Sequence, residues 1–174
     1  MLGSMWNDTE IPLAYLMTFR SYGTWLHGDE RGSIDRFYNR YKSPYICPDE
    51  RWHRHNAALL AGEPVILDAA QRKSVEHAIR TTCEHRRWHL HAVNVRTNHA
   101  HIVVCIGSSK PEQALAAFKA NATRQMREDG CCKDDSTPWA AKGSKRRLWN
   151  ERSVARAIDY VLNGQGNDLP DFDD

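Results

Sequence analysis

Thr97-Asn98-His99-Ala100-His101-Ile102-Val103-Val104 joins two polar turn residues to a histidine pair and an apolar run. In a β-strand, residues i and i+2 point to one face. His99 and His101 therefore project side by side, and the small Ala100 faces the other way. Upstream, Trp88 to Arg96 also alternates, with Leu90, Ala92 and Asn94 on one face and His91, Val93 and Val95 on the other. Two such runs around Thr97-Asn98 predict a β-hairpin whose second strand is His99 to Ile106.

Working outward, Asp68-Ala69-Ala70-Gln71 has capping-box spacing, and Val75, Ala78, Ile79 and Thr82 follow at helical spacing. This predicts a helix from about Asp68 to Arg87. Ser109-Lys110-Pro111-Glu112 opens a second helix with the stripe Leu115, Phe118, Ala122 and Met126, stopped by Gly130. Leu13 to Arg20 reads as a first strand. Trp139 to Gly143 reads as loop and Lys145 to Trp149 as a short fourth strand. Asn150 caps a last helix, Glu151 to Asn163, stopped by Gly164. Between about Gly23 and Pro64 lies an irregular insertion with room for short helices of its own, in which Trp25, Phe37, Tyr38, Tyr41 and Trp52 supply packing. Without the insertion and the last helix the order is β-α-β-β-α-β. That is the split βαβ of an α+β, ferredoxin-like antiparallel sheet with two helices on one face. The opposite face, carrying both imidazoles, is expected to be open to a ligand.

A length of 174 residues, with 41% apolar and 26% charged, suits one domain over 1–174. No apolar run is long enough to span a membrane, and no secretory pattern opens the chain, so the expected location is cytoplasmic. Five cysteines (Cys47, Cys83, Cys105, Cys131 and Cys132) are odd in number and include no C-x-x-C pair, which argues against a disulfide framework or zinc ribbon. Asp168, Asp171, Asp173 and Asp174 make 167–174 an acidic, frayed tail. Without those four, 24 basic residues face 18 acidic ones, a balance of +6 that suits a polyanionic partner.

Three H-x-H pairs occur. His53-Arg54-His55 lies in the insertion, and His89-Leu90-His91 reads as strand-start or surface. His99 and His101 alone lead into a central strand, where two imidazoles make half of a divalent-metal site. The last helix offers Asn163 or Gln165 as a third ligand. Neutral amide oxygens suit Mg²⁺ or Mn²⁺ better than zinc, with positions left for substrate oxygens. On that helix Val154, Ala157, Ile158 and Val161 form the apolar stripe. Tyr160 falls about 100° from its centre, so the pattern alone makes it a helix-edge tyrosine. Arg156, one turn earlier, would favour the phenolate if Tyr160 served as a nucleophile.

Asn98 to Val104, the Leu148-Trp149 entry to the last helix, and Tyr160-Val161-Leu162-Asn163 together resemble the single-tyrosine transposases of the HUH superfamily. The resemblance is to the insertion-sequence-200-like and REP-associated branch, and Tyr22 to Asp29 is similar to a bacterial subgroup of it. It covers Tyr15 to about Gly166. It implies a ferredoxin-like fold, divalent metal on His99 and His101, and attack by Tyr160 on single-stranded DNA through a covalent 5′-phosphotyrosine. The implied DNA is a hairpin or inverted-repeat end, and a homodimer is left open because such families contain both dimers and monomers. The family's third ligand stands one turn after the tyrosine, where this chain has Gly164. Gln165 is favoured over Asn163 to replace it. Arg20, Lys119, Arg124, Lys145, Arg146 and Arg156 are the candidates for the DNA backbone. Competing expectations are a domesticated repeat-DNA nickase, a water-using metallohydrolase, and a non-catalytic nucleic-acid-binding module of the same fold. The last is weakened by the absence of aromatic residues between Leu90 and Ile106.

Overall fold

A computed structural model of the chain describes residues 10–27, 29, 48–133, 135 and 137–164. The elements run β1 (Ala14–Ser21), α1 (Glu50–Ala58), α2 (Ala69–Arg86), β2 (His89–Val95), β3 (His99–Cys105), α3 (Pro111–Glu128), β4 (Trp139–Leu148) and α4 (Glu151–Asn163). The sheet order is β2-β3-β1-β4, with every neighbouring pair antiparallel. This is the ferredoxin-like order expected from the sequence. The Asp68 capping box of α2 is present, and α1 falls inside the expected insertion. Phe37, Tyr38 and Tyr41 lie outside the described residues.

Alternation in the strands divides the apolar side chains between two cores. On one face Tyr15, Met17, Phe19, Val93, Ala100, Ile102 and Val104 pack under α2 and α3 with Val75, Ile79, Phe118 and Met126. On the other, Ala14, Leu16, Ala92, Val103 and Leu148 meet Ala157, Tyr160 and Val161 of α4. The second face is therefore not open along its length, since α4 covers the β2–β3 side of it.

Two strands depart from simple alternation. Between Leu90 and Ala92 the register of β2 shifts by a bulge at His91. Leu90 thus shares the α2/α3 side with Val93 and Val95, while Ala92 shares the α4 side with Asn94. An unbroken alternation would have put Leu90 with Ala92. β4 is also longer than expected, because Trp139 to Gly143 belongs to it. Trp139 anchors that segment, its ring against Phe19 at 4.8 Å and its indole N–H donating to Thr123 Oγ1 at 2.9 Å. Lys119 then caps three carbonyls there, with its Nζ 2.7 Å from Ala140 O, 3.0 Å from Lys142 O and 3.4 Å from Ala141 O.

Gly143 lies at the closest approach between β4 and its neighbours. A Cβ there would stand 2.6 Å from Thr18 O and 2.8 Å from Leu115 Cδ2. Gly143→Ala should therefore destabilise the fold by about 1–3 kcal/mol, the usual scale for overpacking, measured as a lowered urea midpoint at unchanged slope.

Candidate functional site

The site is built on the central strand. His99 and His101 stand on β3 with ring centroids 4.6 Å apart and planes at 67°. Their cross-strand partners share their face: Arg20 is opposite His99, Thr18 opposite His101, and Asn94 opposite His101 on the other side. Each imidazole is oriented through Nδ1. In His101 it lies 2.7 Å from Thr18 Oγ1, and in His99 2.7 Å from Asn98 Oδ1. An amide oxygen only accepts, so His99 carries its proton on Nδ1 and its lone pair on Nε2. When Thr18 accepts likewise, His101 presents the same tautomer. Metal-binding histidines are commonly oriented in this way by a second hydrogen bond.

His101 is 6% exposed. Burial, followed by the charges of His99, Arg20 and Arg96, pushes its pKa down to about 3. It is therefore neutral at pH 7, the state a ligand requires.

Tyr160 is not the helix-edge residue expected. It is 7% exposed and packs within the α4 core cluster. The buried set of α4 is Ser153, Ala157, Tyr160 and Val161, with Val154 and Ile158 only half-buried. The buried arc is rotated by roughly 65° towards Tyr160 from the arc the apolar residues alone define. The rotation reflects where α4 sits, over β2 and β3, so that its Tyr160 side meets the sheet. The tyrosine ring lies edge-on to His101, with centroids 5.4 Å apart. Asn94 fixes this arrangement, donating from Nδ2 to Val161 O at 2.9 Å and so tying the last turn of α4 to the strand beside His101.

The third-ligand candidates are not gathered with the pair. Asn163 is exposed, and its Nδ2 donates to Asp159 Oδ1 at 2.9 Å, turning the amide along the outer face of α4. Gln165 lies outside the described residues. Among the described residues no three His, Cys, Asp or Glu side chains are grouped for a metal. Two imidazoles fit a divalent ion as a partial donor set, leaving its remaining positions to oxygens from elsewhere. His53 and His55 lie on α1, where an i, i+2 spacing does not share a face.

The basic candidates separate by face. Arg20 lies across from His99, its guanidinium 4.3 Å over the ring of Trp25. Trp25 adopts φ 58°, a strained conformation for a bulky residue. Arg146 is paired with Leu16, on the α4 side, and Arg156 is on α4 itself. The other three belong to the opposite side. Lys145 is paired with Met17 and makes an ion pair with Glu112 at 3.5 Å. Arg124 lies on α3, 3.8 Å from Glu128. Lys119 is spent on the β4 carbonyls, and burial lowers its pKa. Lys119, Arg124 and Lys145 therefore do not form one backbone path with the histidines. The residues that sequence reasoning missed are Thr18, Asn94 and Asn98. The roles of Thr18 and Asn94 depend on cross-strand register and helix placement, for which no local motif exists, whereas Asn98 acts on its sequence neighbour His99.

No protein-family model and no curated protein matches the chain. Solved structures similar to it include two transposases. One is a REP-associated tyrosine transposase bound to a REP hairpin, at 13% identity and TM-score 0.49, covering 91% of this chain and 70% of that one. The other is a putative transposase from Deinococcus radiodurans R1, at 12% identity and TM-score 0.49, covering 94% and 98%. No described helix is long and apolar enough to cross a membrane.

Because His101 is held neutral in the fold but has an ordinary pKa when unfolded, the unfolded chain binds more protons between about pH 6.5 and 3. Stability contributed by His101 is intact above pH 6.5 and is lost as pH falls through that window. Urea unfolding of the wild type should weaken by up to about 1.4 kcal/mol more per pH unit than that of His101→Gln. Equal slopes would remove the buried neutral imidazole.

Proposed function

We propose that this chain cuts and rejoins single-stranded DNA, with Tyr160 as nucleophile and His99 and His101 holding Mg²⁺ or Mn²⁺. The observation that carries the proposal is the edge-on contact of Tyr160 with His101, 5.4 Å between ring centroids, on elements tied together by Asn94. A tyrosine beside a histidine pair is a nucleophile beside a metal half-site.

In this reading the scissile phosphate lies between the phenol and the imidazoles. The Tyr160 oxygen attacks phosphorus and gives up its proton. The bond from phosphorus to the 3′ oxygen breaks, and that oxygen takes a proton to leave as a 3′-hydroxyl. The 5′-phosphate remains on Tyr160 as a diester, so a new 3′-hydroxyl can reverse the step without ATP. His99 and His101 would hold the divalent ion, which would supply charge stabilisation at the phosphate oxygens. Thr18 and Asn98 keep the rings oriented, and Arg20, beside His99, offers a charge-assisted contact to the phosphate backbone. The DNA class proposed is a hairpin or inverted-repeat end.

The burial of Tyr160 favours one other reading, a hydrolase in which water attacks and the tyrosine only packs. Tyr160→Phe separates the two while preserving the packing. With single strands from the DNA flanking the gene and Mn²⁺, the wild type should give a covalent protein–DNA adduct on a denaturing gel. Tyr160→Phe should abolish both adduct and cleavage. Cleavage that persists without an adduct would assign the site to a hydrolase.

A further inference from the structure

The loop leaving β1 holds a backbone conformation that its side chain does not favour. Trp25 has φ 58°, in the left-handed region where glycine fits and a bulky residue is strained. Core packing does not account for it, because among the described residues neither apolar core includes Trp25. The indole is half-buried, with part of its surface in solvent, and the Arg20 guanidinium lies 4.3 Å over its ring. Strain of this kind persists where the surroundings over-determine it, and such residues cluster at functional sites.

The surroundings here lead to the histidine pair. Ser21 N donates to Asn98 O at 2.9 Å, while Thr24 Oγ1 donates to Ser21 O at 2.8 Å and reaches Asn98 O at 3.4 Å. Tyr22 is fixed on both sides, its N–H donating to Pro138 O and its carbonyl accepting from Val65 N, each at 2.8 Å. Gly23 passes so close to Pro64 that a Cβ would stand 2.9 Å from Pro64 Cα. Asn98 therefore holds two things, for its carbonyl takes the loop and its side chain orients His99. Arg20 closes the connection, since it is opposite His99 in register and stacks on Trp25. A partly exposed indole is thus coupled to the imidazoles through the residue that orients one of them.

We propose that Trp25 is a stacking platform for an unpaired base of single-stranded DNA, the base adjoining the phosphate that Arg20 and the histidines face. This rests on the DNA reading of the site given above. Bases of single strands stack on aromatic side chains, and because every base has a π-face the contact tolerates sequence. Arg20 acts in two directions. Its guanidinium fixes the indole by lying over the ring, and its charge serves the phosphate backbone. The strained loop sets the ring before DNA arrives, so less ordering is left to binding.

The test compares an oligothymidylate of about twelve nucleotides with an abasic strand of the same length that keeps the phosphates. Binding to the full chain is followed by fluorescence anisotropy in EDTA. The wild type should prefer the oligothymidylate. Trp25→Gly, which the left-handed backbone accommodates, should stay folded by circular dichroism. It should lose at least about fivefold in oligothymidylate affinity and leave abasic binding nearly unchanged. Trp25→Leu, which keeps apolar bulk without a π-face, should show the same loss, and Trp25→Tyr should restore most of it. Equal weakening for both strands would make Trp25 a structural support only and overturn the proposal. So would a wild type without base preference, or Trp25→Gly and Trp25→Leu proteins that keep it. Because cleavage is not read, the two readings fail separately. A covalent adduct together with Trp25-independent binding removes the platform alone. Trp25-dependent binding without any adduct removes the strand-transfer reading alone.

Discussion

The register of β3 is the constraint on which the molecule depends. β3 is hydrogen-bonded on both sides, and alternate residues are committed to different interiors. Ala100, Ile102 and Val104 belong to the α2/α3 core, while His99, His101 and Val103 belong to the side that α4 partly covers. A slip of one residue would drive two imidazoles into a core of Phe19, Ile79 and Phe118 and turn three apolar side chains outward. The burial that makes the fold stable is thus also what aims the histidines.

The same geometry explains how a nearly buried histidine is tolerated. His101 is kept neutral by its surroundings and engages Thr18 through Nδ1, so the face gains a polar group without an isolated charge. Tyr160 completes the layer from above by packing. Its ring fills space among Leu16, Val103 and Val161 while its edge meets His101. A residue placed in this way cannot be sorted into core or site by burial alone.

Much of the fold was legible because β3, α2, α3 and α4 each carry strong local signals: alternation into an apolar run, a capping box, an early proline, a terminal glycine. The histidine pair was legible for the same reason. What the chain did not announce is non-local. The β2 bulge depends on which partner residues His91 skips. The first half of β4 is a strand because Lys119 and Trp139, held by α3, satisfy and anchor it. The position of Tyr160 followed from how α4 lies on the sheet, so a stripe drawn from Val154, Ala157, Ile158 and Val161 was centred too far to one side. The basic residues failed as a set because strand alternation divides Lys145 from Arg146, adjacent in sequence but on opposite surfaces.

β4 ends the sheet as an edge ten residues long, and it carries Lys142, Lys145, Arg146 and Arg147. Edge strands with unpaired backbone groups invite another chain to add itself. Two copies meeting antiparallel along these edges would set like charges against each other, so the strand discourages the assembly its own backbone would template. Solubility at this border is thus written in the same short basic segment that closes the sheet.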